Sequence, residues 1–165
     1  MTAGIALGSN LGDRHANLHT AKRHLFALHD SSGPFLCSRT YASEPVDCPP
    51  GSPAFLNAAI ELRTKLPPLD LLAELQRIEA LLGRPRDHGF HTPRTIDLDI
   101  LYCDNLVFTL PELQIPHPCI AERPFVLLPL ADIQPDKILP GKSGTIASLL
   151  AALPAGDLPK PVAGF

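Results

Sequence analysis

From Thr95 to Ile100 polar and apolar side chains alternate without a break, Thr-Ile-Asp-Leu-Asp-Ile. A period of two belongs to a strand with one face buried, because successive side chains point to opposite faces of a sheet. Ile96, Leu98 and Ile100 therefore face a core, and Thr95, Asp97 and Asp99 face away from it. Two carboxylates two residues apart on one face, at roughly 6 Å and an effective dielectric near 20, repel by about 3 kcal/mol. A cation held between them removes that cost, and an all-oxygen ligand set favours Mg²⁺. Arg94, directly before the strand, suits an anion beside such a metal. The alternative is a pair of solvated aspartates partly neutralised by Arg94.

The chain has 165 residues, enough for one well-buried core and short for two. Its 45% hydrophobic and 19% charged residues are those of an ordinary globular protein. A net charge of −3 gives no global attraction for nucleic acid or an anionic membrane, so any basic site is local. There is no membrane-length apolar run, and the first residues lack the pattern of a signal peptide. Cys37, Cys48, Cys103 and Cys119 show no CxxC spacing, which fits free thiols in a reduced, cytoplasmic protein. A monomer that binds neither nucleic acid nor membrane is the simplest expectation.

Gly4–Leu7 reads as a first strand, and Gly8-Ser9-Asn10-Leu11-Gly12-Asp13 as a turn into a helix capped near Gly12 or Asp13. That turn has neither the lysine nor the spacing of a phosphate-binding P-loop. From residue 14 to about 29, Leu18, Ala21, Leu25 and Leu28 share one helical face, while His15 and His19 fall on the polar side. Residues 35–42 read as a strand, 43–53 as a proline-rich connection, and 55–62 as the returning strand. Asn57 shares a face with Phe55, either as a structural hydrogen-bonding group or as a reader of a flat heterocycle. Pro67-Pro68-Leu69-Asp70 starts a second helix, capped near Asp70, that runs to Leu82 and stops at Gly83, with Leu71, Leu72, Leu75, Ile78 and Leu82 on one arc. Glu79 falls inside that arc and needs a partner, since an unpaired buried carboxylate costs several kcal/mol. Arg84 or Arg86 supplies it, either as an ion pair that closes the helix or as part of a ligand pocket.

Gly83–Arg94 carries three arginines, two histidines and two glycines and leads straight into the aspartate strand, a combination that suits a polyphosphate. Beyond Tyr102, residues 106–108 read as an edge strand. A short helix containing Glu122 and Arg123 is followed by an apolar stretch from Pro124 to Leu130. Residues 144–153 read as a last helix, and 154–165 as a loose, proline-rich tail after a single domain over 1–153.

Taken together, these segments resemble the 6-hydroxymethyl-7,8-dihydropterin pyrophosphokinases of folate biosynthesis. The resemblance runs from Gly4 to about Leu150 and rests on Gly8-Ser9-Asn10-Leu11, Phe55-Leu56-Asn57-Ala58-Ala59, Gln76-Arg77-Ile78-Glu79, Gly83-Arg84 with Arg86, Pro93-Arg94-Thr95-Ile96-Asp97-Leu98-Asp99, and Pro116-His117 followed by Arg123-Pro124-Phe125. It implies a single-domain, ferredoxin-like α+β fold with a mainly antiparallel sheet, and transfer of diphosphate from ATP to a reduced pterin alcohol with release of AMP. It further implies that Asp97 and Asp99 hold two Mg²⁺ ions, with Arg84 and Arg94 completing the catalytic set. Gln76, Glu79, Arg84, Arg86, Arg94, Ile100, His117 and Arg123 would bind ATP. Ser43, Glu44, Val46, Phe55, Asn57, Asp97 and Phe125 would bind the pterin, its ring lying between Phe55 and Phe125. The chain departs from the commoner family pattern at Phe90, His91 and Thr92, and it has Phe55 and Pro118 where tyrosines are frequent. Competing readings are another metal-dependent transferase, which would release pyrophosphate or a nucleoside diphosphate, and a ligand-binding module without turnover.

Overall fold

The computed structural model describes residues 1–45, 51–84, 93–154, 156 and 158–163. Its main sheet follows the order β5-β1-β4-β3-β8, built from β1 (Thr2–Ser9), β3 (Thr40–Ser43), β4 (Phe55–Arg63), β5 (Asp97–Cys103) and β8 (Lys160–Val162), with β2 (Leu36–Cys37) also paired to β4. Every pairing is antiparallel. Helix α1 (Arg14–Ala27) connects β1 to β2, and α2 (Pro68–Leu81) connects β4 to β5. The β-α-β-β-α-β order with two central antiparallel strands is the ferredoxin-like arrangement that the sequence suggests.

Two cores sandwich this sheet. Ala3, Ile5 and Leu7 of β1 pack with Leu18, Ala21 and Leu25 of α1, Leu71, Leu75 and Ile78 of α2, and Ile96, Leu98 and Ile100. The alternation read along residues 95–100 thus reports a real face. On the opposite face, Ala59, Leu101 and Tyr102 pack with α3 (Pro124–Ile133) and α4 (Ile146–Ala151). Between Gly4 and Ile5 the register slips: Ile5 pairs with Ile100 but Gly4 with Tyr102, leaving Leu101 as a bulge. The bulge turns Leu101 and Tyr102 together into the second core. Gly4 is needed there, because a Cβ on it would overlap the Tyr102 ring.

Several local expectations change. Strand β1 continues through Gly8 and Ser9, so the turn starts two residues later than expected. Asp13 caps α1 by accepting from the Ala16 N–H at 3.0 Å, whereas Pro67, not Asp70, is the N-cap residue of α2. Gly83 ends α2 with φ +86°, a conformation that glycine adopts without strain. The single strand expected over 35–42 is broken at Ser38, whose backbone N–H donates to Ala59 O while its hydroxyl accepts from Ala59 N–H. The edge strand is β6 (Phe108–Leu110), paired with β7 (Leu113–Ile115), which the sequence reading did not contain.

No helix contains Glu122 and Arg123. Arg123 is instead the N-cap residue of α3, and the apolar run behind it is the helix itself. Asp132 is the one polar residue of Pro124–Ile133, so the helix carries no polar stripe and loses the 3.6-residue signature. Within the stretch read as a loose tail, Lys160–Val162 pair with β3, Thr40 opposite Val162. No helix among the described residues is long and apolar enough to cross a membrane.

Candidate active site

Asp97 and Asp99 lie on the α3 side of the sheet, paired with Gly8 and Ala6 of β1. Both oxygens of Asp97 are engaged. Oδ1 accepts from Arg84 Nη1 at 2.5 Å, and Oδ2 lies 3.2 Å from Arg94 Nη1. Arg84 Nη1 also donates to Glu79 Oε1, which in turn accepts the Leu98 backbone N–H at 2.7 Å. Glu79 therefore ties the end of α2 to the residue between the two aspartates. Its expected ion pair with Arg84 exists, and the same guanidinium reaches Asp97. Burial raises the Glu79 carboxyl to about 7, against the opposing pull of Arg84 and the Leu98 N–H.

Burial, then the charge of Asp97, holds the Asp99 carboxyl above its ordinary range, while Arg123, Arg84 and Arg94 draw it down. Two carboxylates in electrostatic conflict on an oxygen-only face fit a hard divalent cation, with the rest of its shell left to other oxygens. No cluster of three His, Cys, Asp or Glu side chains suited to a metal occurs among the described residues. The Nε atoms of Arg84 and Arg94 are buried without a hydrogen-bond partner among the described residues, which leaves donors for an anion.

His117 follows the cis Ile115–Pro116 peptide and donates its backbone N–H to Leu101 O at 2.9 Å. Burial and the nearby Arg123 keep its imidazole below the usual histidine range, while Asp97 pulls it upward. Its Nδ1 accepts the Cys119 N–H at 3.2 Å, which places the proton of the neutral ring on Nε2.

The apolar half of the site grows from β4. Phe55 and Asn57 are 8% and 6% exposed. Asn57 Nδ2 donates to Ser43 Oγ at 2.8 Å and to Tyr41 O at 3.4 Å, so Oδ1 is the atom left to accept. A Cβ on Gly8 would stand 3.6 Å from Phe55, 3.7 Å from Asn57 Oδ1 and 3.7 Å from Asp97 Cβ. The bare glycine is the floor between the ring, the amide and the carboxylate. Arg94 lies over the Phe55 ring at 5.6 Å, and Arg123 over the Phe125 ring at 5.7 Å.

Asp97, Asp99, Glu79, Arg84, Arg94, Arg123 and His117 are thus linked by contact or by charge. Gln76 is exposed on α2, and Glu44 is exposed beside Ser43. The Ile100 side chain belongs to the core on the helix α1 and α2 side, away from the aspartates. Arg86 and Val46 lie outside the described residues, as do Phe90, His91 and Thr92. His15 and His19 are exposed on α1. Gly8, Ser9 and Asn10 read locally as a turn, which hides their place at the site. Their usable signal is that alternation along β1 puts Gly8 on the face opposite Ile5 and Leu7.

The model of the family described as 7,8-dihydro-6-hydroxymethylpterin-pyrophosphokinase (HPPK) matches residues 4–135. The chain is 41% identical over 150 residues to the 2-amino-4-hydroxy-6-hydroxymethyldihydropteridine pyrophosphokinase of Pseudomonas aeruginosa, covering 91% of this chain and 90% of that protein. The enzyme of that name from Haemophilus influenzae is 41% identical, with 85% and 86% covered. A folic acid synthesis protein of Dictyostelium discoideum is 36% identical, but the chain spans only 22% of its length. Among solved structures, a Plasmodium falciparum HPPK-DHPS with pterin and p-hydrobenzoate aligns with a TM-score of 0.67 at 18% identity, over 91% of this chain and 44% of that one, a likeness of fold. By the extent of the family match and by its identity to near-full-length relatives, the chain belongs to the HPPK family.

Proposed function

We propose that this pyrophosphokinase moves the terminal diphosphate of ATP to the hydroxymethyl oxygen of 6-hydroxymethyl-7,8-dihydropterin through the cluster centred on Asp97. The observation that carries the assignment of roles is one juxtaposition. Asp97 is gripped by Arg84 and Arg94 on its two oxygens and stands across Gly8 from Phe55 and Asn57. A phosphate-binding half and a flat-ring half therefore meet at one carboxylate.

In this reading the pterin lies on Phe55, with Phe125 on its other side and Asn57 Oδ1 accepting from its N–H edge. Ser43 holds the Asn57 amide in that orientation. Arg84, Arg94 and Arg123 take the triphosphate, and the Nε2–H of neutral His117 adds a donor. Glu79 supports the nucleotide side by holding Arg84, while Gln76, Glu44, Arg86, Val46 and the backbone of Ile100 complete the two pockets. Asp97 and Asp99 would hold magnesium, two ions in the full complex. Bound there, Mg²⁺ neutralises phosphate charge and makes the β-phosphorus more electrophilic. The acceptor oxygen forms its bond to the β-phosphorus, the bridge to the α-phosphate breaks, and AMP leaves with the electron pair. The hydroxyl proton is lost as the new bond forms, and Asp97, between the two halves, is the candidate to accept it once the triphosphate draws Arg84 and Arg94 from its oxygens. Alignment and charge neutralisation supply most of the acceleration in such transfers.

The test is to incubate the protein with ATP, Mg²⁺ and the reduced pterin alcohol and identify both products. AMP and the pterin diphosphate are expected in equal amounts. Release of ADP, or of pyrophosphate with adenylated pterin, would overturn the reading.

A further inference from the structure

We propose that Asn10 is a positioning residue that sets the register between the ring-binding and phosphate-binding halves of the site, an inference that rests on the roles just assigned to Phe55 and Arg94. Asn10 lies directly after β1 and is 1% exposed. Its backbone N–H donates to Arg94 O at 3.1 Å, and its side-chain Oδ1 accepts the Arg94 N–H at 2.8 Å. Both polar backbone atoms of Arg94 are therefore held by one residue. Its Nδ2 donates in the other direction, to Pro53 O at 3.3 Å, two residues before Phe55. One buried amide thus ties together the segment that delivers Arg94 and the segment that delivers Phe55.

Neighbouring groups reinforce both arms. Ser9 Oγ donates to Thr95 O at 2.5 Å and accepts from Asn17 Nδ2 at 3.3 Å. Arg14 Nη1 donates to Ala54 O at 2.7 Å. The Ser9–Thr95 and Arg14–Ala54 bonds run between residues 86 and 40 positions apart and reach backbone that no strand ladder pairs there. Arg94 stacks on Phe55 at 5.6 Å, so a shift of either segment moves a phosphate ligand relative to the pterin ring. In-line transfer depends steeply on that separation, and a misplacement near 1 Å costs on the order of a hundredfold in rate.

Asn10→Asp separates the two arms. It keeps an oxygen to accept the Arg94 N–H and replaces the donor to Pro53 O with a second oxygen, which repels that carbonyl. Arg14→Met removes the parallel bond to Ala54 O from a half-exposed position, and serves if the first variant is too unstable to purify. Each variant is compared with the unaltered chain by thermal unfolding, by equilibrium binding of the reduced pterin and of Mg²⁺ with a non-hydrolysable ATP analogue, and by single-turnover formation of AMP. Binding of each ligand alone is expected to stay within about twofold, while the single-turnover rate falls roughly ten- to a hundredfold in Asn10→Asp and less in Arg14→Met. An unchanged single-turnover rate in both variants overturns the proposal. So does a loss of both affinities in parallel with the loss of folded protein, since that is a purely structural role. Failure of the unaltered chain to form AMP overturns the functional reading itself and is distinguishable from either result.

Discussion

Asp97 concentrates more of the site than any other described side chain: both oxygens bear arginines, and Gly8 joins it to the ring-binding half. Its side chain belongs to neither apolar core, and Arg84 keeps Glu79 as a partner without it. Asp97→Ala should lower single-turnover AMP formation by about a thousandfold or more, the scale of removing a principal electrostatic contact, with the thermal midpoint little changed. Near-normal turnover in that variant would remove the basis for the assignment. Gly8 tests the other half. A Cβ there stands at ordinary contact distances from Phe55, Asn57 and Asp97, so Gly8→Ala has room to fold. Its methyl group would stand on the floor on which the ring lies. The KM for the pterin should rise about tenfold or more, with ATP affinity preserved, because the filled volume belongs to one substrate. Unchanged pterin kinetics would place the ring elsewhere.

At the scale of elements, the break between β2 and β3 shows how a side chain substitutes for a ladder bond. Ser38 is 5% exposed, and its hydroxyl accepts the Ala59 N–H at 2.8 Å in the middle of β4. Ser38→Ala leaves that buried N–H without its acceptor and should destabilise the protein by about 1–3 kcal/mol in denaturant titrations. A loss within error of zero would mean that water or a strand shift repairs the gap. Ala59 sits two residues from Asn57, so a detectable rise in pterin KM should accompany the loss. The second core carries its own polar group in the same manner. Glu61, 4% exposed, accepts from Tyr102 Oη at 2.6 Å and Gln134 Nε2 at 2.7 Å and lies 3.4 Å from Lys137 Nζ. It anchors α3 and the chain after it to β4 and β5 at the end of the sheet away from Asp97.

For the whole molecule, the buried acids make stability depend on pH in an unusual direction. The Glu79 carboxyl rises from 4.5 to about 7 on folding. Between those values the folded state holds a proton that the unfolded chain has lost, so stability falls as pH rises through that window and stays lowered above it. A shift of this size is worth at most roughly 3 kcal/mol. Asp99 is shifted the same way by burial and by Asp97, and adds to the slope. The ligand-free protein should therefore lose thermal stability from about pH 4.5 to about pH 7, and Glu79→Gln should flatten that curve without abolishing it. Parallel curves for the two proteins would show that Glu79 ionises normally. Mg²⁺ held by Asp97 and Asp99 should also flatten the curve of the unaltered protein, since its positive charge favours the ionised acids.

Much of this architecture is legible from local pattern. Thr95 to Ile100 declares its two faces by alternation, Leu18, Ala21 and Leu25 mark one side of α1, and Gly83 ends α2 because its φ of +86° suits glycine. Each of these signals depends on a residue and its near neighbours, whose periodicity and backbone preferences survive in the sequence. The carboxylate pair on the polar side of β5 belongs to the same class, as does the need of Glu79 for a cationic partner. Only the tertiary structure decided which distant groups meet. It brought Glu79 to the Leu98 N–H, Gly8 between Phe55 and Asp97, and Asn10 between Pro53 and Arg94. It also made a helix of the apolar run after Arg123 and a strand of Lys160–Val162. Those outcomes depend on strand register and on which surface covers which face. Residues far apart in the chain set both jointly, and no local period records them.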